Sequence, residues 1–406
     1  MLTHSFLKRL LKISLLLAAL CVLSLAFFLA FLRLQHNSSV TLPAPTGPFL
    51  VGRTTYFWLD PTHNDPLAPP NTARELLVWL WYPAALSPSS VSADYLPALW
   101  RHALEASTGT LISKFLTRDL SQVHAHSLSA PGLSPQLPAY PVVLFRPGLS
   151  ALTTDYTTLA EDLASHGYVV VGFDAPYRTF VVVLPTGRVV LRSPANNPET
   201  LPEDQQAALA TKLVTAWTED ARFVVDQLER LNASPASNPF AGHLDLHALG
   251  FFGHSLGGAT AAQFCHDDAR CHAGMDMDGA PFGTVVQQGL HEPFMFLMSD
   301  HSNESDPAAP KILADLDSIY SRLPPDSRFF LTIRGSRHFN FSDQALLKER
   351  HLARIIGMLG PIDGRRFFSI TTACVHTFFD VYLKHSSSAQ LDNLSSAFPE
   401  VQLRPR

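Results

Sequence analysis

Leu249-Gly250-Phe251-Phe252-Gly253-His254-Ser255-Leu256-Gly257-Gly258-Ala259-Thr260 is an apolar run that ends in a Gly-x-Ser-x-Gly motif, and small residues with helical character continue it to residue 264. The pattern predicts a strand, a sharp turn and a helix. Glycines two positions before and after Ser255 allow the strand and the helix to approach closely, while the serine backbone is strained. The serine hydroxyl would project at the helix N-terminus, where backbone N–H groups stabilise developing negative charge. We therefore predict a nucleophile elbow at Ser255, with a glycine-rich structural turn as the alternative.

Short, wholly apolar runs alternate with helical patterns from residue 140 onward. Such runs are typical of strands that are buried on both faces of a parallel sheet. The alternation predicts a doubly wound and mostly parallel sheet with helices on both faces. Together with the nucleophile elbow, this indicates an α/β-hydrolase fold. We expect one catalytic domain over residues 50–385, because no linker divides it, and a C-terminal tail over residues 386–406. The predicted buried strands are residues 141–145, 168–174, 273–278, 293–298 and 329–333.

An almost unbroken apolar run over residues 13–32 is long enough to cross a bilayer as a helix. Lys8, Arg9 and Lys12 precede it and Arg33 alone follows, so the positive-inside rule predicts a cytoplasmic N-terminus and an extracytoplasmic catalytic domain. We assign residues 1–35 to an uncleaved membrane anchor and the polar residues 36–49 to a flexible linker. A cleaved signal peptide, which would make the protein secreted, is the alternative. A signal peptide normally has a shorter apolar core and a small-residue cleavage site.

The charge distribution excludes one class of partner. The net charge is −5 and no basic stripe is interleaved with aromatic residues, so nucleic-acid binding is not expected. The sequence also carries no signal for a particular oligomeric state.

Asn-x-Ser/Thr triplets are more frequent than expected by chance, which is typical of a glycoprotein of the secretory route. They begin at Asn37, Asn232, Asn303, Asn340 and Asn393.

The four cysteines predict at most one local disulfide. Cys21 lies inside the anchor, whereas Cys265 and Cys271 flank the turn between the elbow helix and the next strand. In an oxidising compartment these two can pair, and two unpaired thiols are the alternative. His266 and His272 occupy the same turn without the usual spacing of zinc ligands. We predict neither a metal ion nor a cofactor.

A serine nucleophile requires a base and a carboxylate that orients the base. In α/β-hydrolases these residues follow in the chain order serine, acid, histidine. His338 directly follows a predicted strand in a Gly-Ser-x-His loop and is the candidate base. The acid is Asp278, after the first strand beyond the elbow, or Asp300, after the second. Asp276 lies inside its strand, where a packing or hydrogen-bonded role is expected. A glycan on Asn340 would crowd His338, so we predict that Asn340 is unmodified.

Several blocks of the sequence resemble the plasma and intracellular type of the platelet-activating-factor acetylhydrolase family, which are esterases and lipases of the α/β-hydrolase superfamily. The most specific blocks are Leu-Ala-Ser-His-Gly at 163–167 and Gly-His-Ser-Leu-Gly-Gly-Ala-Thr at 253–260. The resemblance extends over about residues 50 to 385. The other matching segments are residues 81–83, 147–149, 268–270 with the following Asp278, and 335–338.

The resemblance implies that Asp278 rather than Asp300 is the acid. It also implies that the backbone N–H groups of Leu149 and Leu256 form the oxyanion hole. Pro147 stands where the family commonly has a histidine. Proline has no N–H, but the required donor belongs to the residue after Gly148, so the hole should be retained.

The implied reaction is calcium-independent ester hydrolysis through an acyl-enzyme. The implied substrate is a phospholipid with a short or oxidised acyl chain at the sn-2 position, as for a 1-alkyl-2-acetylglycerophosphocholine esterase. The membrane anchor favours a lipid substrate. A carboxylesterase or polyester hydrolase of broad specificity is one alternative. A catalytically silent binding module that is displayed on a membrane is another, and it would require one of the three catalytic side chains to be misplaced.

Overall fold

A twelve-stranded sheet dominates the fold in the computed structural model, which describes residues 4–86, 90–302 and 308–405. The predicted apolar runs all form strands. Strands β8 and β9 form a separate two-stranded antiparallel hairpin. The strands are β1 (Val40–Thr41), β2 (Val51–Asn64), β3 (Ala73–Pro83), β4 (Ser92–Asp94), β5 (Val123–Ser129), β6 (Tyr140–Arg146), β7 (Val169–Asp174), β8 (Val181–Val183), β9 (Val189–Leu191), β10 (Leu244–His254), β11 (Ala273–Met277), β12 (Phe294–Met298), β13 (Arg328–Ile333) and β14 (Val401–Leu403).

The centre of the sheet is parallel and doubly wound, as predicted. Its order is β7-β6-β10-β11-β12-β13, and each neighbouring pair is parallel. From β6 the chain moves to β7 on one side and later returns to β10 on the other side. The strand order therefore reverses between β6 and β10, and ligands of such sheets bind at the carboxyl ends of the strands at this point.

Alternate residues of each central strand enter two separate hydrophobic cores. Val143 and Phe145 of β6 face one core, while Val142 and Leu144 face the other. Helices α3 and α10 cover the first face, and α4 and α5 cover the second. The helices are α1 (His4–His36), α2 (Ala98–Thr108), α3 (Thr157–Ser165), α4 (Glu203–Asn232), α5 (Leu256–Asp267), α6 (Val285–Gln288), α7 (Ala309–Arg322), α8 (Gln344–Leu347), α9 (Arg350–Ile355), α10 (Gly364–Leu383), α11 (Ala389–Asp392) and α12 (Leu394–Ala397).

Helix α1 is long and apolar enough to cross a membrane by length and composition. Its last turn packs against the rest of the chain, because Leu32 and His36 are buried and His36 Nδ1 lies 2.7 Å from the carbonyl oxygen of Thr117. The following segment is not the flexible linker predicted from its composition. Strand β1 pairs with β5, and Thr46 donates its N–H and its hydroxyl to Asp162 at 2.9 and 2.8 Å. These partners on α3 and β5 are distant in sequence, so composition does not indicate them.

The predicted C-terminal tail also differs from the sequence prediction, because part of it belongs to the sheet. The predicted tail contributes β14, which pairs antiparallel with β13 at the edge of the sheet. The segment just before the buried strand β8 contacts the loop after β6 through a bridge between Thr179 and Ser150. Cys265 and Cys271 form a disulfide that joins the end of α5 to the start of β11.

The Asn-x-Ser/Thr triplets occupy different environments. Asn37 and Asn393 are exposed, whereas the Asn232 side chain is hydrogen-bonded to both backbone groups of Leu244. Asn340 is 1% exposed, and its side-chain oxygen accepts the N–H groups of Arg337 and Gly360. Asn303 lies outside the described residues.

Candidate active site

Ser255 stands in the turn between β10 and α5, and its backbone conformation is strained. Its φ is 57° and its ψ is −127°, a region that non-glycine residues rarely adopt. A Cβ atom on Gly253 would lie 2.1 Å from the carbonyl oxygen of Gly257, and one on Gly257 would lie 2.1 Å from that of Arg146. Only glycine fits at either position. The spacing of the motif therefore produces the predicted strand, turn and helix.

The loop after β6 lies beside this turn. A Cβ atom on Gly148 would approach the Cβ of Ser255 to 3.0 Å. The next residue is Leu149, and Leu256 is the first residue of α5. Within the described residues, neither of these two N–H groups donates a backbone hydrogen bond. Both are thus available to an oxygen atom bound near Ser255.

Asp278 follows β11 in a positive-φ conformation (56°), and its side chain is 0% exposed. Its Oδ2 accepts hydrogen bonds from His338 Nδ1 at 2.7 Å and from the Ser299 hydroxyl at 3.0 Å. Its Oδ1 accepts the Ser299 N–H at 2.7 Å and His301 Nε2 at 2.9 Å. Burial alone would raise the pKa of Asp278, but the hydrogen bonds and charges of His301 and His338 hold this pKa well below its usual range. The carboxyl group is therefore ionised at neutral pH.

His338 begins a short turn after β13, and its side chain is 37% exposed. Because Nδ1 faces Asp278, Nε2 is the nitrogen that can face Ser255 or a substrate. The Ser255 N–H donates to the carbonyl oxygen of Met277 at 2.9 Å, which fixes the elbow beside the residue that precedes Asp278. Within the described residues the Ser255 hydroxyl makes no hydrogen bond. Catalytic contacts are often longer before a substrate binds.

Asp300, the alternative acid, has a different set of partners. Its Oδ2 accepts the Gly335 N–H at 2.9 Å, and its Oδ1 accepts the N–H and hydroxyl of Ser302. Asp300 thus holds the loop that carries His338, while Asp278 contacts the imidazole itself. Asp276 is buried and accepts the Gly279 N–H at 2.8 Å, in line with the expected hydrogen-bonded role.

His254 and Tyr156 also lie beside the catalytic residues, and neither was predicted from the sequence as part of the site. His254 precedes Ser255, and its ring centroid is 4.4 Å from that of His338. Its Nδ1 lies 2.6 Å from the hydroxyl of buried Tyr156. Burial, and then the charge of His338, lower the pKa of His254 well below its usual range, so its ring is neutral. The Gly-His-Ser motif was the signal that could have indicated His254. Tyr156, its hydrogen-bond partner, is remote in sequence and left no such signal.

The described residues contain two groups whose nitrogen and oxygen atoms lie within 4.8 Å of one another, as in a metal site. His254, Asp278 and His338 form the cluster just described. In the other group, the rings of His166 and His376 are stacked with centroids 4.0 Å apart beside Asp162. An imidazole binds a metal in its ring plane, so two nearly parallel rings would have to rotate before both could bind one ion. We assign no metal to either group.

The sequence model of the family described as platelet-activating factor acetylhydrolase, isoform II, matches residues 34–176 and 221–400. The chain belongs to this family. The platelet-activating factor acetylhydrolase of Cavia porcellus is 25% identical over 371 residues, which cover 84% of this chain and 78% of that protein. A probable 1-alkyl-2-acetylglycerophosphocholine esterase of Arthroderma benhamiae is 27% identical over 64% of this chain, and the match spans 65% of that relative's own length.

Among solved structures, a ferulic acid esterase from Streptomyces cinnamoneus has the same fold as this member of the platelet-activating factor acetylhydrolase family. Its TM-score is 0.73 at 27% identity, and the match covers 90% of this chain and 99% of the esterase. The fold, the family resemblance and the predicted sheet are therefore confirmed. The matched ranges include the loop after β6, the elbow, Asp278 and His338.

Proposed function

We propose that this chain is a serine ester hydrolase in which Ser255 is the nucleophile, His338 the general base and Asp278 the carboxylate that orients His338. The observation that carries this proposal is the 2.7 Å hydrogen bond between His338 Nδ1 and the buried Asp278, next to a strained serine turn. The carboxylate fixes the tautomer that leaves His338 Nε2 free to accept a proton, and it stabilises the imidazolium that forms.

In the proposed reaction, Ser255 Oγ attacks the ester carbonyl while His338 removes its proton. The N–H groups of Leu149 and Leu256 stabilise the oxyanion, and His338 then protonates the leaving alcohol. Water activated by His338 releases the acid from the acyl-enzyme. Each step is assigned to a side chain or an N–H group, so we propose that calcium is not required. Equal activity in EDTA and in calcium chloride would support this part.

The proposed substrate is a phospholipid with a short or oxidised sn-2 acyl chain. Relatives named as platelet-activating factor acetylhydrolase and as 1-alkyl-2-acetylglycerophosphocholine esterase support this choice, as does the apolar helix α1. A cavity beside the loop after β6, lined in part by Leu152, Phe180 and Ile112, offers apolar surface for a substrate chain. A broad carboxylesterase is the second candidate, which the ferulic acid esterase neighbour favours.

One experiment tests the activity and the substrate class together. The purified protein and its Ser255→Ala variant are treated with a fluorophosphonate probe and then assayed with 2-acetyl phospholipids and with p-nitrophenyl esters. We expect labelling of the wild type alone and turnover of both ester classes. Efficient hydrolysis of the p-nitrophenyl esters alone would favour the carboxylesterase. An unlabelled but folded wild type would favour a binding module.

We further propose that α1 remains attached as a single-pass anchor, with the catalytic domain on the extracytoplasmic side. Burial of Leu32 and His36 by the domain supports this proposal, because a cleaved leader would not share the folded core. In that compartment Asn37 and Asn393 are the exposed candidates for glycosylation. The buried Asn340 is not expected to carry a glycan.

A further inference from the structure

Asp278 holds two imidazole rings rather than one. His338 binds Oδ2, and His301 Nε2 lies 2.9 Å from Oδ1 on the opposite side of the carboxylate. His301 follows the end of β12 by three residues, at the same carboxyl edge of the sheet as the elbow. Its position near Asp278 was not predicted from the sequence, because only the folded sheet brings the two loops together.

His301 and His338 bind different oxygen atoms of Asp278, and His301 has a second polar neighbour. His301 also lies 3.2 Å from the Ser299 hydroxyl, and its bond to Asp278 runs through the oxygen that His338 does not use. Together with the Ser299 N–H at 2.7 Å, it fixes Oδ1 and thereby the plane of the carboxylate. The His301 side chain is 45% exposed, so it exchanges protons with solvent freely.

We propose that His301 is a positioning residue for the catalytic carboxylate. Neutral His301 holds Asp278 in place for His338, whereas protonated His301 competes with His338 for the negative charge of Asp278. The inference deepens the proposed function and rests on it, since it assumes that His338 is the base. His301 is not itself assigned a step in the reaction.

The consequence for pH dependence follows from the charges around the carboxylate. Besides His338, the ionisable groups among the described residues that lie near Asp278 or His301 are His254, Asp276 and Asp300. His254 is buried and neutral, Asp276 is buried with a pKa raised by burial, and Asp300 lies toward His301. A proton on His301 therefore adds a positive charge beside Asp278, which competes with the His338 imidazolium for the same carboxylate. That charge disfavours protonation of His338, which keeps the base form of the enzyme available at lower pH.

Two substitutions separate the hydrogen bond from the charge. His301→Gln retains an N–H donor without a titratable ring, and His301→Ala removes both. The matched control is His63→Gln on β2, because His63 Nδ1 pairs with Asp60 at 2.8 Å in a comparable exposed histidine–aspartate pair. Values of kcat and KM for p-nitrophenyl acetate are measured from pH 5 to 9. The low-field 1H NMR signal of the His338 Nδ1–H is recorded for each folded variant.

We expect His301→Ala to lower kcat about tenfold with little change in KM, the loss typical of one hydrogen bond to a charged group. His301→Gln should recover most of kcat at pH 8, while the acid limb of its kcat/KM profile moves up by about half a pH unit. The control should match the wild type. A wild-type kcat and pH profile in His301→Ala, or an unmoved acid limb in a fully active His301→Gln, would overturn the proposal.

The NMR signal tests the positioning of Asp278 by His301 separately from the proposed ester hydrolase activity. If wild-type protein neither hydrolyses esters nor reacts with a fluorophosphonate, the proposed function fails. A shift of the Nδ1–H signal in His301→Ala but not in His63→Gln would still support positioning of Asp278 by His301. An identical signal in all variants would refute that positioning independently of activity.

Discussion

Two aspartates end neighbouring strands at the edge of the sheet where Ser255 stands, and they have different partners. Asp278 binds the imidazole of His338, whereas Asp300 binds the backbone of Gly335 and the Ser302 side chain. We predict that Asp278→Asn lowers kcat by about 10⁴, because the amide no longer stabilises the imidazolium or its tautomer. Asp300→Asn should lower kcat less than tenfold, because the loop keeps its other contacts.

Steady-state kinetics on the two folded variants check this prediction, with circular dichroism as the control for folding. A larger loss of kcat in Asp300→Asn than in Asp278→Asn would identify Asp300 as the catalytic acid. That result would also contradict the acid assignment that the family resemblance implies.

Motif spacing predicted Ser255 and His338, because a glycine-flanked serine and a histidine after a late strand are local patterns. The acid could not be chosen in the same way, since Asp278 and Asp300 both follow buried strands and only the fold shows which one meets the imidazole. His301 and Tyr156 were missed for a related reason. The chain has 18 histidines, and contacts with remote partners leave no periodic trace in the sequence.

At the scale of single elements, the disulfide at the end of α5 is distant from the chemistry at its start. Ten residues separate Ser255 from Cys265 in a helix, which corresponds to about 15 Å. We predict that the double variant Cys265→Ser, Cys271→Ser loses about 2 kcal/mol of stability, the value for closure of a short loop, while kcat/KM at 25 °C stays within about twofold.

Thermal unfolding and ester kinetics measure the two effects, and Cys21→Ser in the exposed part of α1 is the control. Buried Cys374 is not expected to form a replacement bond, because burial raises the pKa of its thiol to about 12. A large loss of kcat with unchanged stability would contradict the separation between the two ends of α5.

The buried carboxylates that flank α3 predict a second element-scale effect. Burial raises the pKa of Asp155 to about 6, despite hydrogen bonds from Leu152 N–H and Gln344. An unfolded aspartate ionises near pH 4, so the folded state binds more protons between about pH 4 and 6. Stability contributed by this group is therefore present at low pH and falls as the pH rises through that window.

We predict that Asp155→Asn reduces the drop in Tm between pH 5 and pH 7, because the asparagine side chain does not ionise. Differential scanning fluorimetry across this range provides the measurement, and Asp317→Asn on α7 is the exposed control. A drop in Tm as steep as that of the wild type would show that Asp155 ionises normally in the fold.

The central strands were predictable because they are apolar on both faces and separated by helices. Strand β2 was not predicted, since it contains Pro61 and its last residues, 61–64, are polar or proline and all exposed. Strand β1 and the segment that follows it were taken for a linker on the basis of polar composition. Their order derives from hydrogen bonds to β5 and to Asp162, so they could be found only once the tertiary structure was known.

For the whole molecule, the junction of α1 with the domain makes the C-terminal end of this apolar helix part of the fold. Leu32 is 1% exposed, and Arg118 donates to the carbonyl oxygens of Gln35 and Ser38 at 3.1 and 3.3 Å. With α1 as the proposed membrane anchor, this junction would hold the domain close to the bilayer, and the proposed lipid substrate would lie in the same membrane. Tethering raises the effective concentration of such a substrate without any new contact in the active site.

Two truncations test this arrangement, one without residues 1–31, which keeps Leu32 and His36, and one without residues 1–36. We expect both to leave the membrane fraction. Both should also hydrolyse p-nitrophenyl acetate with wild-type kcat/KM, because the proposed catalytic residues all lie far beyond residue 36 in the sequence. Both should lose at least tenfold in rate on 2-acetyl phospholipid in vesicles relative to the full chain reconstituted there. The shorter protein should have the lower Tm, because burial of one leucine contributes about 2 kcal/mol. Release of the full chain by alkaline carbonate, with a mature N-terminus near residue 30, would instead identify α1 as a cleaved signal sequence.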